Sequence, residues 1–294
     1  MLPDRVAFAE LAAAKEPRRA DPRWFQIASL SALLAFGLSQ RAFSIAPLEM
    51  ATIFVSAIAT QWAMSSVLSI RFEAKSALIT SLSLTLLLRA NELWPLAAAA
   101  FIAIASKFLI RAGGKHLFNP ANIGIVATTL ATDAAWTTPG QWGTALWLAA
   151  LMAGAGSFVT CRASRLDTPL VFLAAFSAMI IARALWLGDP LSIPLNRLQN
   201  GALILFAFFM ISDPKTTPDG LISRAIFTTA TAALAYVLIY HFHQSDGLFS
   251  ALAIACLARP ALDATDQARR RRRIDPHGTD EFIRKRSNRA APAE

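Results

Sequence analysis

Apolar residues run along this chain in long stretches parted by short polar breaks. A helix crossing the hydrocarbon core of a membrane needs about 20 residues. Against that length the pattern predicts segments over Trp24–Gln40, Glu49–Ile70, Ala77–Arg89, Trp94–Arg111, Pro120–Ala131, Gly143–Cys161, Thr168–Leu187, Gly201–Ile211, Leu221–Tyr240 and Gly247–Leu257. The short ones take the third and fifth places of each half. Two five-segment units, each with an odd number of crossings, would sit in opposite orientation. The fold class expected is therefore an all-α polytopic membrane protein with about ten transmembrane segments in a 5+5 inverted repeat, its short or broken helices meeting near the midplane. Short helices that are only tilted or buried neighbours are the other reading of this pattern.

Two breaks carry more chemistry than the others. The first, Ser106–Gly124, reads SKFLIRAGGKHLFNPANIG. Lys107 and Arg111 share a helical face, Gly113 and Gly114 stop that helix, and Asn119 caps the next, with Pro120 in its first turn. The second, Ile211–Gly220, reads ISDPKTTPDG and sets Asp213, Lys215, Thr216 and Thr217 between two prolines, after an apolar run too short to span. Backbone that is not helical at membrane depth must line a cavity or be packed in protein, so these residues are candidates for binding a polar ligand or ion. An ordinary loop with Asp213 as a helix cap fits the same residues. Lys107, charged inside an apolar helix, reads either as functional or as snorkelling to the interface. The two breaks are expected to approach each other and form one site. Lys107, Lys115, Lys215 and the helix starts after Asn119 and Pro218 would there suit an anionic group.

Composition agrees with the membrane class: of 294 residues 55% are apolar and 16% charged. The net charge of +9 gathers at the ends, in Arg18, Arg19 and Arg23 and in Arg269–Arg273. In a polytopic chain such runs mark the cytoplasmic side and meet anionic lipid rather than nucleic acid. Placing the amino end inside puts Arg71, Lys75, Arg111, Lys115, Arg162, Arg165 and Lys215 in inner loops, and only Arg41, Arg89 and Arg197 in outer ones. Both termini are then cytoplasmic. Residues 1–23 read as an inner segment without a cleavage site, 24–131 and 143–259 as the two membrane units, and 263–294 as a disordered basic tail.

Cys161 and Cys256 are the only cysteines, too few for a four-cysteine iron–sulfur cluster. His116, His241, His243 and His277 are spread over opposite sides and the tail, which disfavours haem or a metal site.

Four stretches together resemble a known family. Ser76–Leu88, Ser106–Gly124 with its Phe118-Asn119-Pro120-Ala121 core, Ile211–Pro218, and Asp246–Asp263 with Pro260 are similar to the NqrB/RnfD family of membrane subunits, found in the sodium-translocating NADH:quinone oxidoreductase and the Rnf electron-transport complex, and to its short stand-alone branch seen in enediyne gene clusters. The resemblance implies a fold similar to urea channels and a bacterial inner-membrane protein that moves electrons through flavin, coupled to ion translocation. It implies partner subunits that supply NADH oxidation and iron–sulfur clusters. Members of the family link flavin mononucleotide to a threonine in a Ser-Gly-Ala-Thr motif. Here the place reads Arg165-Leu166-Asp167-Thr168, so Thr168 remains but the small residues before it are gone. Any FMN or other flavin is thus expected to be non-covalent. A channel or transporter for a small polar solute, or a cofactor-free assembly subunit, would use the same architecture.

Overall fold

The computed structural model describes residues 21–39, 45–138, 141 and 146–274. They form a helical membrane protein. The first half holds α1 (Pro22–Ser39), α2 (Pro47–Val67), α3 (Ala74–Leu87), α4 (Leu93–Leu109) and α5 (Pro120–Ala131). The second holds α6 (Leu146–Arg162), α7 (Asp167–Leu187), the short α8 (Ser192–Leu198), α9 (Gly201–Leu205) running on as a π-helical turn over Phe206–Met210, α10 (Leu221–Tyr240) and α11 (Gly247–Ile274). Pro47–Val67, Asp167–Leu187, Leu221–Tyr240 and Gly247–Arg269 are long and apolar enough to cross a membrane by length and composition, while α3 and α5 and the α9–π segment are short apolar helices.

Packing follows one order in both halves. Counting α9 with its π turn as the third main helix of the second half, the second packs on the fourth, the fourth on the fifth, and the third on both the first and the second. Between halves, α1 packs on α6 and α5 on α11. The core is filled by the third helices: Leu82, Leu84, Leu86, Leu87, and Leu203 through Ile211 are all buried. Gly156 on α6 permits a close approach, because a Cβ there would stand 2.5 Å from the Cβ of Phe208 in the π turn.

Two expected helix ends differ. Helix α4 stops at Leu109, and Gly113 and Gly114, at φ +60° and +78°, turn a small hairpin between β2 (Arg111–Ala112) and β3 (Lys115–His116). Glycine takes both left-handed positions of such a two-residue turn without a Cβ clash. At the other end, the tail expected to be disordered from Asp263 continues α11 as helix to Ile274, through Pro260; residues 275–294, with His277, lie outside the described residues. The physical reason is tertiary anchoring: Arg259 pairs with Asp263 at 2.8 Å one turn on, and Asp266 accepts from the Gly220 N–H at 3.0 Å and the Ser223 hydroxyl at 2.6 Å. Asp266 thereby caps α10 from outside.

Candidate functional site

The two polar breaks meet. Asn119 caps α5 by accepting from the Asn122 N–H at 3.1 Å, and its Nδ2 donates to the Met210 carbonyl at 3.3 Å. From the hairpin, His116 Nε2 lies 3.4 Å from Asp213 Oδ2. Buried Arg259, 1% exposed, holds that hairpin in place by donating to the carbonyls of Ala112 at 3.1 Å and His116 at 3.5 Å. Asn119 thus satisfies a carbonyl at the end of the π turn, and π turns occur often at functional sites.

Around this junction lies a cavity of about 560 Å³, within the roughly 300–1,000 Å³ of small-molecule sites. Its buried wall carries the hydroxyls of Thr80, Ser83, Thr160 and Ser212. Thr80 donates to the Ser76 carbonyl at 3.0 Å, Thr160 to Gly156 at 2.9 Å, and Ser212 to Phe208. The protons of these three are spent on their own helices, so the cavity meets their oxygen lone pairs. The exposed rim carries Arg162 and Lys215, neither of which forms an ion pair among the described residues. Arg162 lies over the rings of Phe25 at 5.4 Å and Phe158 at 5.3 Å.

A second cluster closes the rim. Arg23 bonds Asp21 at 3.0 Å and Glu73, and Lys75 bonds Asp21 at 2.9 Å. The Arg23 side chain, opposed by burial and helped by Lys75, holds the Asp21 carboxyl well below the usual carboxylate range. Burial pushes Glu73 up, but Arg23 outweighs it and keeps this acid low as well. Both stay ionised, so Arg23 is neutralised locally and Arg162 and Lys215 remain the rim's available cations.

Of the residues picked out from sequence, the structure brings Asn119, Asp213 and Lys215 to the cavity. Lys107 stands one layer behind it, donating to Gln61 at 2.5 Å and to the cavity-lining Ser76 at 3.0 Å. Thr216 and Thr217 turn inward and donate to the Asp213 carbonyl at 3.2 and 3.0 Å; they shape the turn and do not line the cavity. Lys115 faces Asp219 at 2.7 Å instead of the site, and the helix start after Pro218 is taken by Asp266. Thr168 is elsewhere: it is 1% exposed, and its Oγ1 is buried without a partner. Around it Arg165 is tied to Asp219 at 3.0 Å and Asp167 to Arg224 at 2.5 Å. An oxygen so enclosed does not fit a phosphoester to a bulky flavin, whereas the cavity's size and its rim cations fit a non-covalent one.

Sequence reasoning missed the hydroxyl wall and the Asp21–Arg23–Glu73 cluster. Part of the wall was signalled, since Ser76, Thr80 and Ser83 fall on one face of α3 at spacings of four and three.

Comparison with known proteins adds the decisive observation: residues 131–271 match the model of the NQR2, RnfD, RnfE family. That stretch is similar to the NQR2, RnfD, RnfE family. It takes in Thr168, the second polar break and Asp246–Asp263, and leaves Ser76–Leu88 and Ser106–Gly124 outside. Among the relatives are ion-translocating oxidoreductase complex subunits of Escherichia coli O1:K1 / APEC and of Escherichia coli O45:K1 (strain S88 / ExPEC), each 29% identical over 123 residues, 42% of this chain and 34% of the relative. The corresponding protein of Escherichia coli O9:H4 (strain HS) is 28% identical over the same shares. The match spans about a third of the length of these relatives.

Proposed function

We propose that the chain is a membrane subunit of a flavin-linked electron-transport complex of the bacterial inner membrane, and that the cavity between the two breaks is its ligand site. The observation that carries this reading is the contact of His116 and Asn119 with Asp213 and Met210, which sets the family-matched second break against the first. The relatives' description as ion-translocating oxidoreductase subunits supports electron transfer coupled to ion movement, with other subunits supplying NADH oxidation and iron–sulfur clusters. The common packing order of the two halves, with α1 on α6 and α5 on α11, supports ten spans in a 5+5 inverted repeat. Both termini then face the cytoplasm, where Arg18, Arg19 and Arg269–Arg273 meet anionic lipid.

Arg162, Lys215 and the start of α5 at Asn119 would hold the phosphate or another anionic group of flavin mononucleotide. Lys107 adds positive charge through Ser76. When bound, a flavin supplies the one- and two-electron chemistry; the chain's part is to hold, orient and shield it. The enclosed Thr168 oxygen and the hydroxyl wall favour, as a second reading, a cofactor-free subunit or a channel for a small polar solute.

The test is purification in detergent. The expected protein is yellow, gives up all its flavin on denaturation, shows no fluorescent band on a denaturing gel, and retains flavin about tenfold less tightly after Lys215→Ala, a change of about 1.4 kcal/mol. A colourless protein from flavin-replete cells overturns the flavin reading. A fluorescent band that vanishes in Thr168→Ala overturns the non-covalent one.

A further inference from the structure

The end of α3 away from the cavity is finished by side chains. A helix leaves its last four carbonyls without partners, and here each is met. Arg89 Nη1 donates to the Thr85 carbonyl at 2.8 Å and the Leu88 carbonyl at 2.6 Å. Gln141 Nε2 donates to Leu86 at 2.5 Å, and the Thr138 N–H to Leu87 at 3.3 Å. The strand β1 (Leu88–Ala90) pairs with β4 (Ala135–Thr137) beside them.

Arg89 itself is 3% exposed. Its Nη2 donates to Gln141 Oε1 at 2.7 Å, and among the described residues it has no carboxylate partner. A buried cation needs compensation. What its Nη1 meets directly is the negative end of a helix, about half an elementary charge, while Glu49 acts on it only from beyond ion-pair distance and its Nε is left without a partner. Carbonyl oxygens at the ends of interrupted membrane helices are also what coordinates small free cations.

We propose that Arg89 is a tethered cation seated in a cup of carbonyl oxygens, and that without its guanidinium the cup is a site for a free monovalent metal cation. Removing the side chain frees the Thr85 and Leu88 carbonyls and Gln141 Oε1. Next to them, on residues already part of this end, stand the hydroxyls of Thr85 and Thr138, both buried and without a partner. The set is all oxygen, which suits a hard cation. In the intact chain the charge is carried covalently, and Arg89 determines that free cations are excluded from this end. The opposite helix end, at Met210, is met instead by the neutral amide of Asn119, so the exclusion belongs to one end of the molecule. The inference stands independently of the flavin reading.

The test compares the full-length protein, Arg89→Lys and Arg89→Ala in detergent, by thermal unfolding in sodium chloride, potassium chloride and choline chloride at equal ionic strength. A ligand that binds only the folded form raises its midpoint. Wild type and Arg89→Lys should show the same difference between metal cation and choline, whereas Arg89→Ala should gain a further 2–4 °C or so in sodium or potassium. Should Arg89→Ala be too unstable to purify, its recovery from membranes is measured in each salt, and should be severalfold higher with the metal cation than with choline. A salt response of Arg89→Ala equal to wild type, or equal recovery in every salt, including none, overturns the proposal.

Discussion

Asp213 does two jobs with one carboxylate. One oxygen accepts the Lys215 N–H at 2.9 Å and so forms the turn, while the other faces His116 at 3.4 Å and joins the two halves. Asp213→Ala leaves an amide without its acceptor and a histidine without its neighbour, at a cost of about 1–3 kcal/mol, and should lower the unfolding midpoint by roughly 2–4 °C for each kcal/mol in a chain of this size. Asp213→Asn keeps an acceptor for Lys215 and should fall less. Equal midpoints for both variants in a detergent melting series would contradict this division. At this scale the sequence was readable for the capping and turn roles of Asn119, Pro120 and Asp213, which are local, but not for the reach of Asn119 to Met210 or of Asp213 to His116. Lys115 and Thr168 were not, because their surroundings come from Asp219 and Arg224, tens of residues away in the chain.

The second break as an element is held by charges outside the apolar layer. Asp219 faces Lys115 at 2.7 Å and Arg165 at 3.0 Å. Burial raises its pKa, but these two cations outweigh burial and hold it below the ordinary value. A carboxylate depressed on folding contributes stability that is present above its unfolded pKa and lost as pH falls through the folded one. Acidification below about pH 4 should therefore loosen the contact of the loop with the β2–β3 hairpin, and Asp219→Asn should remove that part of the acid sensitivity. Limited proteolysis across a pH series, scored at the hairpin, is the measurement. The apolar pattern made α3, α5 and α9 legible as short helices, because length against bilayer thickness is a property of the run itself. It could not show that the polar stretch after Asp263 continues α11, since that helix rests on Asp266 reaching Gly220 and Ser223, a long-range contact without a periodic signature.

At the scale of the whole molecule, the topology proposed above rests on the Lys and Arg asymmetry and on the matching packing of the halves. Reporter fusions after Cys161 should be internal and after Leu187 external; a fusion placing the carboxyl end outside would contradict the five-plus-five arrangement. The Arg259 clamp then bears on how the chain is made. The hairpin at residues 111–116 belongs to the first half, yet the guanidinium that fixes it lies at position 259 of 294. A ribosome must deliver residue 259 to the insertion machinery before the first half can lock. Until then the Ala112 and His116 carbonyls lack the Arg259 guanidinium, and a product cut short before residue 259 would remain an unfinished assembly open to membrane quality-control proteases, however well its early helices had inserted.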